Sequence, residues 1–170
     1  MRNVRGFSVL ELIIVIAMVS VLIGLAAPGY LEWRANTTTA EAAQQLASDI
    51  LGQRTEAKRE NAVRRVTAAA DSTSYTLESV DDAGNVTDTR VIELPNGTRI
   101  TAVPSVPRVT PDPTSTSTSP PPPPISGVVF APPYGTITEP LSTFTVVWAS
   151  DTSIDRDVNV VGVMGKVVIE

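Results

Sequence analysis

Residues 7–31 read FSVLELIIVIAMVSVLIGLAAPGYL, and this stretch decides the architecture. Nineteen of its 25 residues are apolar. As a helix rising ~1.5 Å per residue it would reach ~37 Å, enough to cross a hydrocarbon layer of about 30 Å with some tilt. Arg2 and Arg5 precede it. By the positive-inside tendency they hold the start in the cytoplasm and send the remainder across. Gly24 and Pro28 interrupt the run. A proline inside a helix removes a hydrogen bond and favours a kink.

Glu11 is the anomaly in this segment. A carboxylate within a span costs ~2.5–3.5 kcal/mol on insertion scales, so intramembrane acids find partners. No Lys or Arg lies nearby on the same helical face. A cleaved secretory signal would end in a small-x-small exit site. Leu25-Ala26-Ala27 instead begins with a bulky residue and runs into Pro28. A plain signal anchor accounts for the length and the two arginines but not for the acid. A cut between Gly6 and Phe7 would create an α-amino group four positions before Glu11, one helical turn away. That ammonium could neutralise Glu11 in its own chain or in a neighbouring one.

The run Gly6-Phe7-Ser8-Val9-Leu10-Glu11-Leu12 resembles the processing site of type IV prepilins and pseudopilins: a basic leader ending in Gly, then Phe, then Glu at the fifth mature position. The resemblance implies that a prepilin peptidase cuts after Gly6 and methylates Phe7. It implies that Glu11 directs assembly with other pilin or pseudopilin subunits, and that the helix bends or locally melts near Gly24 and Pro28. It further implies a single-pass inner-membrane protein with its C-terminal head in the periplasm, later packed into a pilus or pseudopilus.

Beyond the apolar run, residues 31–62 read as an amphipathic helix. Ala43, Leu46, Ala47, Ile50 and Ala57 recur at helical spacing, with Glu41, Gln44, Gln45 and Asp49 between them. Asn36-Thr37-Thr38-Thr39 is a weak patch and a candidate start for a fresh helical stretch. Arg54, Lys58, Arg59, Arg64 and Arg65 gather near the predicted helix end. Such a cluster can contact DNA or anionic lipid. It is explained more simply by the macrodipole, with Glu60 and Arg64 spaced for a surface pair.

Short β-like runs follow: Tyr75–Leu77, Arg90–Leu94, Thr98–Val103, Val128–Phe130, Thr143–Trp148 and Val158–Val161. Asp81 to Asn85 has turn composition. Asn96-Gly97 between two apolar runs predicts a hairpin. Residues 162–169 read as a closing hairpin turning on Gly162 and Gly165. Residues 104–124 hold nine of the 14 prolines and eight Ser/Thr among 21 residues, which predicts an extended, solvated insertion with polyproline character. A surface loop, a glycan-bearing stalk and a partner ligand all fit it.

The expected fold class is α+β, a long N-terminal helix packed on a mainly antiparallel head. The expected divisions are a leader at 1–6, a transmembrane and assembly helix at 7–31, an amphipathic helix at 32–62 and a β-rich head at 63–170. Phe130…Tyr134-Gly135, the strand around Trp148, Arg156–Val160 and Gly165-Lys166-Val167 resemble the tail of minor pseudopilins of the H type (GspH/FimT-like).

Several chemistries are excluded. The 170 residues contain no cysteine and no histidine, which removes disulfides, Cys/His zinc sites and imidazole-based nucleophilic machinery. Asp155-x-Asp157-x-Asn159 begins like a calcium loop, but such a loop would want Gly at 160 and Glu at 166, where Val160 and Lys166 stand. The expected form is a solvated acidic turn before a strand, with no metal, no cofactor and no enzymatic activity. A DNA-binding minor pilin for natural transformation is the alternative reading. In that class a Gly-Arg-x-Arg pattern carries binding, and Gly165-Lys166-Val167-Val168 offers one cation instead of two. Residues 63–170 carry seven basic against twelve acidic groups, a poor basis for neutralising phosphates. An anchored periplasmic enzyme or sensor would explain neither Gly6-Phe7 nor Glu11.

Overall fold

A computed structural model of the chain describes residues 8–81, 84–106, 125–137 and 141–170. It divides into two compact units, with the boundary between Ala35 and Asn36. Helix α1, Val9–Glu60, supplies nearly all of the first described unit and opens the second.

In the first unit every described residue from Ser8 to Arg34 is exposed. This helix is apolar on all sides, as expected of one that does not rely on a protein core.

In the second unit α1 becomes one-sided. Thr39, Ala42, Ala43, Leu46, Ala47, Ile50, Gln53 and Ala57 are buried and fall on one face. Ala42, Thr39 and Gln53 extend the expected stripe. The Asn36–Thr39 patch does not begin a new helix: it lies inside α1, because packing of the fully buried Thr39 outweighs weak local propensity. The helix ends at Glu60, and Asn61 adopts φ 51°, the left-handed conformation that commonly terminates helices.

Among the described residues ten strands follow: β1 (Val63–Ala68), β2 (Ser74–Val80), β3 (Val86–Glu93), β4 (Thr98–Ala102), β5 (Ser105–Val106), β6 (Ile125–Ala131), β7 (Thr136–Ile137), β8 (Leu141–Trp148), β9 (Asp151–Val161) and β10 (Lys166–Ile169). One sheet runs β3-β2-β1-β6-β5, with β7 beside β6; the other runs β10-β9-β8-β4. Their strand pairings are antiparallel. Helix and both sheets share one core, in which Leu46 and Ile50 join Val66, Tyr75, Ile100, Phe130, Phe144, Val146, Val158 and Val160. The fold is α+β, a long helix packed on antiparallel sheets.

The Asn96-Gly97 hairpin does not form. β3 and β4, on either side of it, belong to different sheets. A type I′ hairpin turn needs positive φ at both central residues. Gly97 has φ 91°, but Asn96 is not among the described residues with positive φ. The segment instead makes a turn in which Pro95 O accepts the Thr98 N–H at 3.1 Å and the Thr98 hydroxyl at 2.6 Å. Gly97 then passes beneath Trp148, where a Cβ would stand 2.4 Å from the indole ring.

The other turns agree with expectation. Asp81 and Asn85 close the β2–β3 connection through Asp81 Oδ1, which accepts the Asn85 N–H at 2.8 Å. β9 and β10 form the closing hairpin, with Gly165 N–H donating to Gly162 O at 2.8 Å.

The acidic segment departs from expectation. Asp155, Asp157 and Asn159 lie within β9 rather than in a turn before it. Thr145 Oγ1 donates to Asp157 and Thr143 Oγ1 donates to Asn159, each at 2.7 Å, so cross-strand partners on β8 hold them in the ladder. At the start of the Pro-rich stretch, Ser105 and Val106 pair with Ser126 and Ile125. Residues 107–124 lie outside the described residues.

Two polar contacts and two glycines fit the helix to the sheets. Tyr75 donates its hydroxyl to Asp49 at 2.5 Å, and Gln45 Nε2 donates to Glu93 O at 3.3 Å. Gly135 and Gly165 both adopt positive φ, 62° and 60°. A Cβ at Gly135 would lie 2.8 Å from the Arg54 carbonyl oxygen; one at Gly165 would lie 3.0 Å from Phe130 and 3.8 Å from Arg54. The turns at 132–135 and 162–165 therefore meet the last turns of α1 at glycines.

Two outcomes follow from this packing. Burial, reinforced by Asp49, pushes the Tyr75 hydroxyl pKa above its ordinary value near 10. A raised folded-state value means that this contribution is complete below about pH 10 and is lost as pH rises further. In thermal melts Tyr75→Phe should lose about 1.5–3 kcal/mol at neutral pH and should show a shallower decline above pH ~10 than the parent chain. Gly135→Ala should lose about 1–3 kcal/mol, through left-handed backbone strain plus the close carbonyl. Gly162→Ala, at φ 71° with open space around it, should lose only the backbone part, about 1–2 kcal/mol.

Candidate assembly site

The first turn of α1 is built around Ser8. Its Oγ accepts the Leu10 N–H at 3.3 Å and its carbonyl accepts the Leu12 N–H at 3.2 Å. Ser8 is thus the N-cap: its side chain satisfies the Leu10 N–H, which has no partner inside the helix, and its carbonyl takes the first intrahelical bond. Glu11 stands three residues later, the spacing of a capping box, and is the acid in the first turn. The positive end of the helix dipole favours a carboxylate there. Sequence reasoning treated Glu11 only as a charge partner; the Ser-x-x-Glu spacing is the signal that reveals Ser8. Gly6 and Phe7 lie outside the described residues.

Along the rest of the first unit the side chains point outward. Val9 is 75% exposed and Leu25 76%, so the apolar surface is available to lipid or to another helix. Ser20 satisfies its hydroxyl within the helix by donating to Ile16 O at 2.8 Å. Gly24 and Pro28 both lie inside α1. They stand four apart, so Pro28, which has no N–H, cannot supply the usual donor to the Gly24 carbonyl. A Cβ at Gly24 would meet nothing within 4 Å.

The basic cluster resolves into ion pairs and packing. Arg64 reaches Glu56 at 3.5 Å and also pairs with Glu60, while Arg59 reaches Glu60 at 2.9 Å. Arg59 and then Arg64 hold the Glu60 carboxyl below its usual pKa range. Arg65 is buried on β1, and Arg54 packs near Gly135 and Gly165. These arginines are used within the fold, which favours the helix-end explanation. Near the β8–β9 connection, Ser153 donates both its hydroxyl and its N–H to Asp151 and lowers that carboxyl as well. No group of three or more Asp or Glu residues that could hold a metal ion occurs among the described residues.

Three of the tail residues that carried the H-type resemblance, Phe130, Gly135 and Gly165, lie near one another. Phe130 is fully buried, and Gly135 and Gly165 come together beside Arg54. Nothing in the local sequence near Arg54 signals this contact, because Gly135 and Gly165 are thirty positions apart and both lie far along the chain from Arg54.

Residues 1–27 match the family pattern described as the prokaryotic N-terminal methylation motif. Among solved structures, the chain is similar to the type IV minor pilin FimU of Pseudomonas aeruginosa PAO1, with a TM-score of 0.51 and 16% identity over 77% of this chain and 91% of that one. It is equally similar to EpsH, the minor pseudopilin of the Vibrio cholerae type II secretion system, with a TM-score of 0.51 and 15% identity over 78% of this chain and 95% of that one. A second EpsH structure gives 0.50 at 15% identity over 79% and 94%. A sequence comparison with curated proteins returns no significant match. At these identities the structural likeness speaks for the fold, and the N-terminal motif adds an independent signal from the other end of the chain. The chain thus joins an N-terminal methylation motif at residues 1–27 to a fold similar to those of a minor pilin and a minor pseudopilin.

Proposed function

We propose that this protein is a minor structural subunit of a pilus-like fibre, of the kind found in type II secretion pseudopili and type IV pili. Residues 1–6 form a leader, removed by prepilin peptidase between Gly6 and Phe7, and Phe7 is then N-methylated. Residues 7–31 hold the subunit in the inner membrane and later pack in the fibre. Residues 32–62 carry the amphipathic helix, and 63–170 form the periplasmic head with its insertion at 104–124. Gly24 and Pro28 provide the bend.

The observation that carries this reading is the coincidence of Gly6-Phe7 and Glu11 with a helix start whose apolar side chains are exposed all round. Membrane lipid covers that surface before assembly, and neighbouring helices cover it afterwards. Glu11 gives the exchange its register: an unpaired carboxylate among packed apolar helices is costly, and docking against a neighbour's Phe7 ammonium relieves the cost.

Mass spectrometry of the native protein should find a methylated Phe7 at the N-terminus, and a bulky residue in place of Gly6 should block that maturation. Glu11→Leu should insert into the membrane as well as the parent chain while incorporation into fibres falls at least about tenfold. Normal incorporation of the Glu11→Leu subunit would overturn the pairing account.

A further inference from the structure

The first unit carries an aromatic pair near the end of its apolar run. Tyr30 and Trp33 are 59% and 62% exposed. They stand three residues apart, one helical turn, with ring centroids 5.9 Å apart and planes inclined at 38°. From Leu12 to Gly29 the chain contains no charged residue, whereas Glu32 and Arg34 flank Trp33. The pair therefore marks the place where the uncharged surface of α1 gives way to a charged one.

We propose that Tyr30 and Trp33 are an interfacial anchor. Their rings seat in the headgroup layer of a phospholipid bilayer, at the end of the span remote from Glu11, and fix the depth of α1. Tyr and Trp favour this layer because each has an apolar ring body and a polar O–H or N–H that stays wet. Arg34 can extend its charged head toward the aqueous side while its stem lies along the helix.

The spacing supports the assignment. Nineteen residues separate Glu11 from Tyr30, about 29 Å of helix, against a hydrocarbon thickness of about 30 Å. Anchoring Tyr30 at one boundary puts Glu11 near the other, not at the mid-plane where a carboxylate is most costly. The anchor thus explains how an acid required for assembly is tolerated while the subunit waits in the membrane.

The inference rests on the membrane reading, and one experiment separates the two. The full chain is reconstituted in phosphatidylethanolamine and phosphatidylglycerol vesicles, and flotation establishes whether it binds. Trp33 and Trp148 are the two tryptophans. Trp148→Phe isolates Trp33; because Trp148 packs on Gly97, the difference between the parent chain and Trp33→Phe gives the same signal without disturbing the head. Bromine labels are then placed either on acyl carbons next to the headgroup or near the chain end. The shallow label should cause the greater loss of Trp33 emission. Greater loss with the deep label overturns the anchor, as does protection from both labels in floated protein, which would place the pair against protein. Failure to float overturns the membrane reading and the anchor with it.

Discussion

Water cannot cover the first half of α1 without a large hydrophobic penalty, and most of the molecule's organisation follows from that constraint. Val9 to Leu31 expose apolar side chains in every direction, and that much contiguous apolar surface requires lipid or other helices. Backbone polar groups in such surroundings must be satisfied within the segment, which a helix does by itself. Ser20 follows the same rule by bonding to Ile16 O one turn back. Glu11 is the exception. Its place in the first turn, next to a capped helix start, gives its charge a favourable dipole while leaving the carboxylate exposed to a neighbour.

The second half of α1 solves a different packing problem. Its buried face is largely alanine, with Leu46 and Ile50 as the larger members. Small residues let the backbone approach the sheets closely, and that closeness sets the demands on the turns facing the helix. Gly135 fits because it has no Cβ to strike the Arg54 carbonyl, and Gly165 because it leaves room for Phe130. The polar residues between the apolar ones contribute to the same seam: Asp49 accepts from Tyr75 and Gln45 donates to Glu93 O. An amphipathic pattern alone would leave these side chains in solvent.

What could be read from the sequence was whatever depends on near neighbours. The apolar run, the alanine stripe, the turn at Asp81 to Asn85 and the glycines at 162 and 165 are all specified within about a dozen residues, and the structure agrees with each. The hairpin at Asn96-Gly97 could not be read in this way. Its flanking runs are good strands, but β3 pairs back onto the preceding β2, while the partner of β4 is β8, from a distant part of the chain. The Asp155-x-Asp157-x-Asn159 run lies in β9 for a related reason, since Thr145 and Thr143 bond to Asp157 and Asn159 from across the sheet. At the N-terminus Ser8 and Glu11 stand at capping-box spacing, so the helix start is a local signal of the sequence.

The two halves of one helix therefore answer to different periodicities. In the first, the apolar surface is continuous around the axis, so no single face is committed to a partner and either lipid or several neighbouring helices can surround it. In the second, the face is narrow and already occupied by the head's core, leaving its polar side to water. The helical stretch between them includes Gly24 and Pro28, where a backbone hydrogen bond is missing by the chemistry of proline itself. Burial along α1 begins later, with Ala35 and Thr39. Deformation at Gly24 and Pro28 would leave every core contact of the head in place.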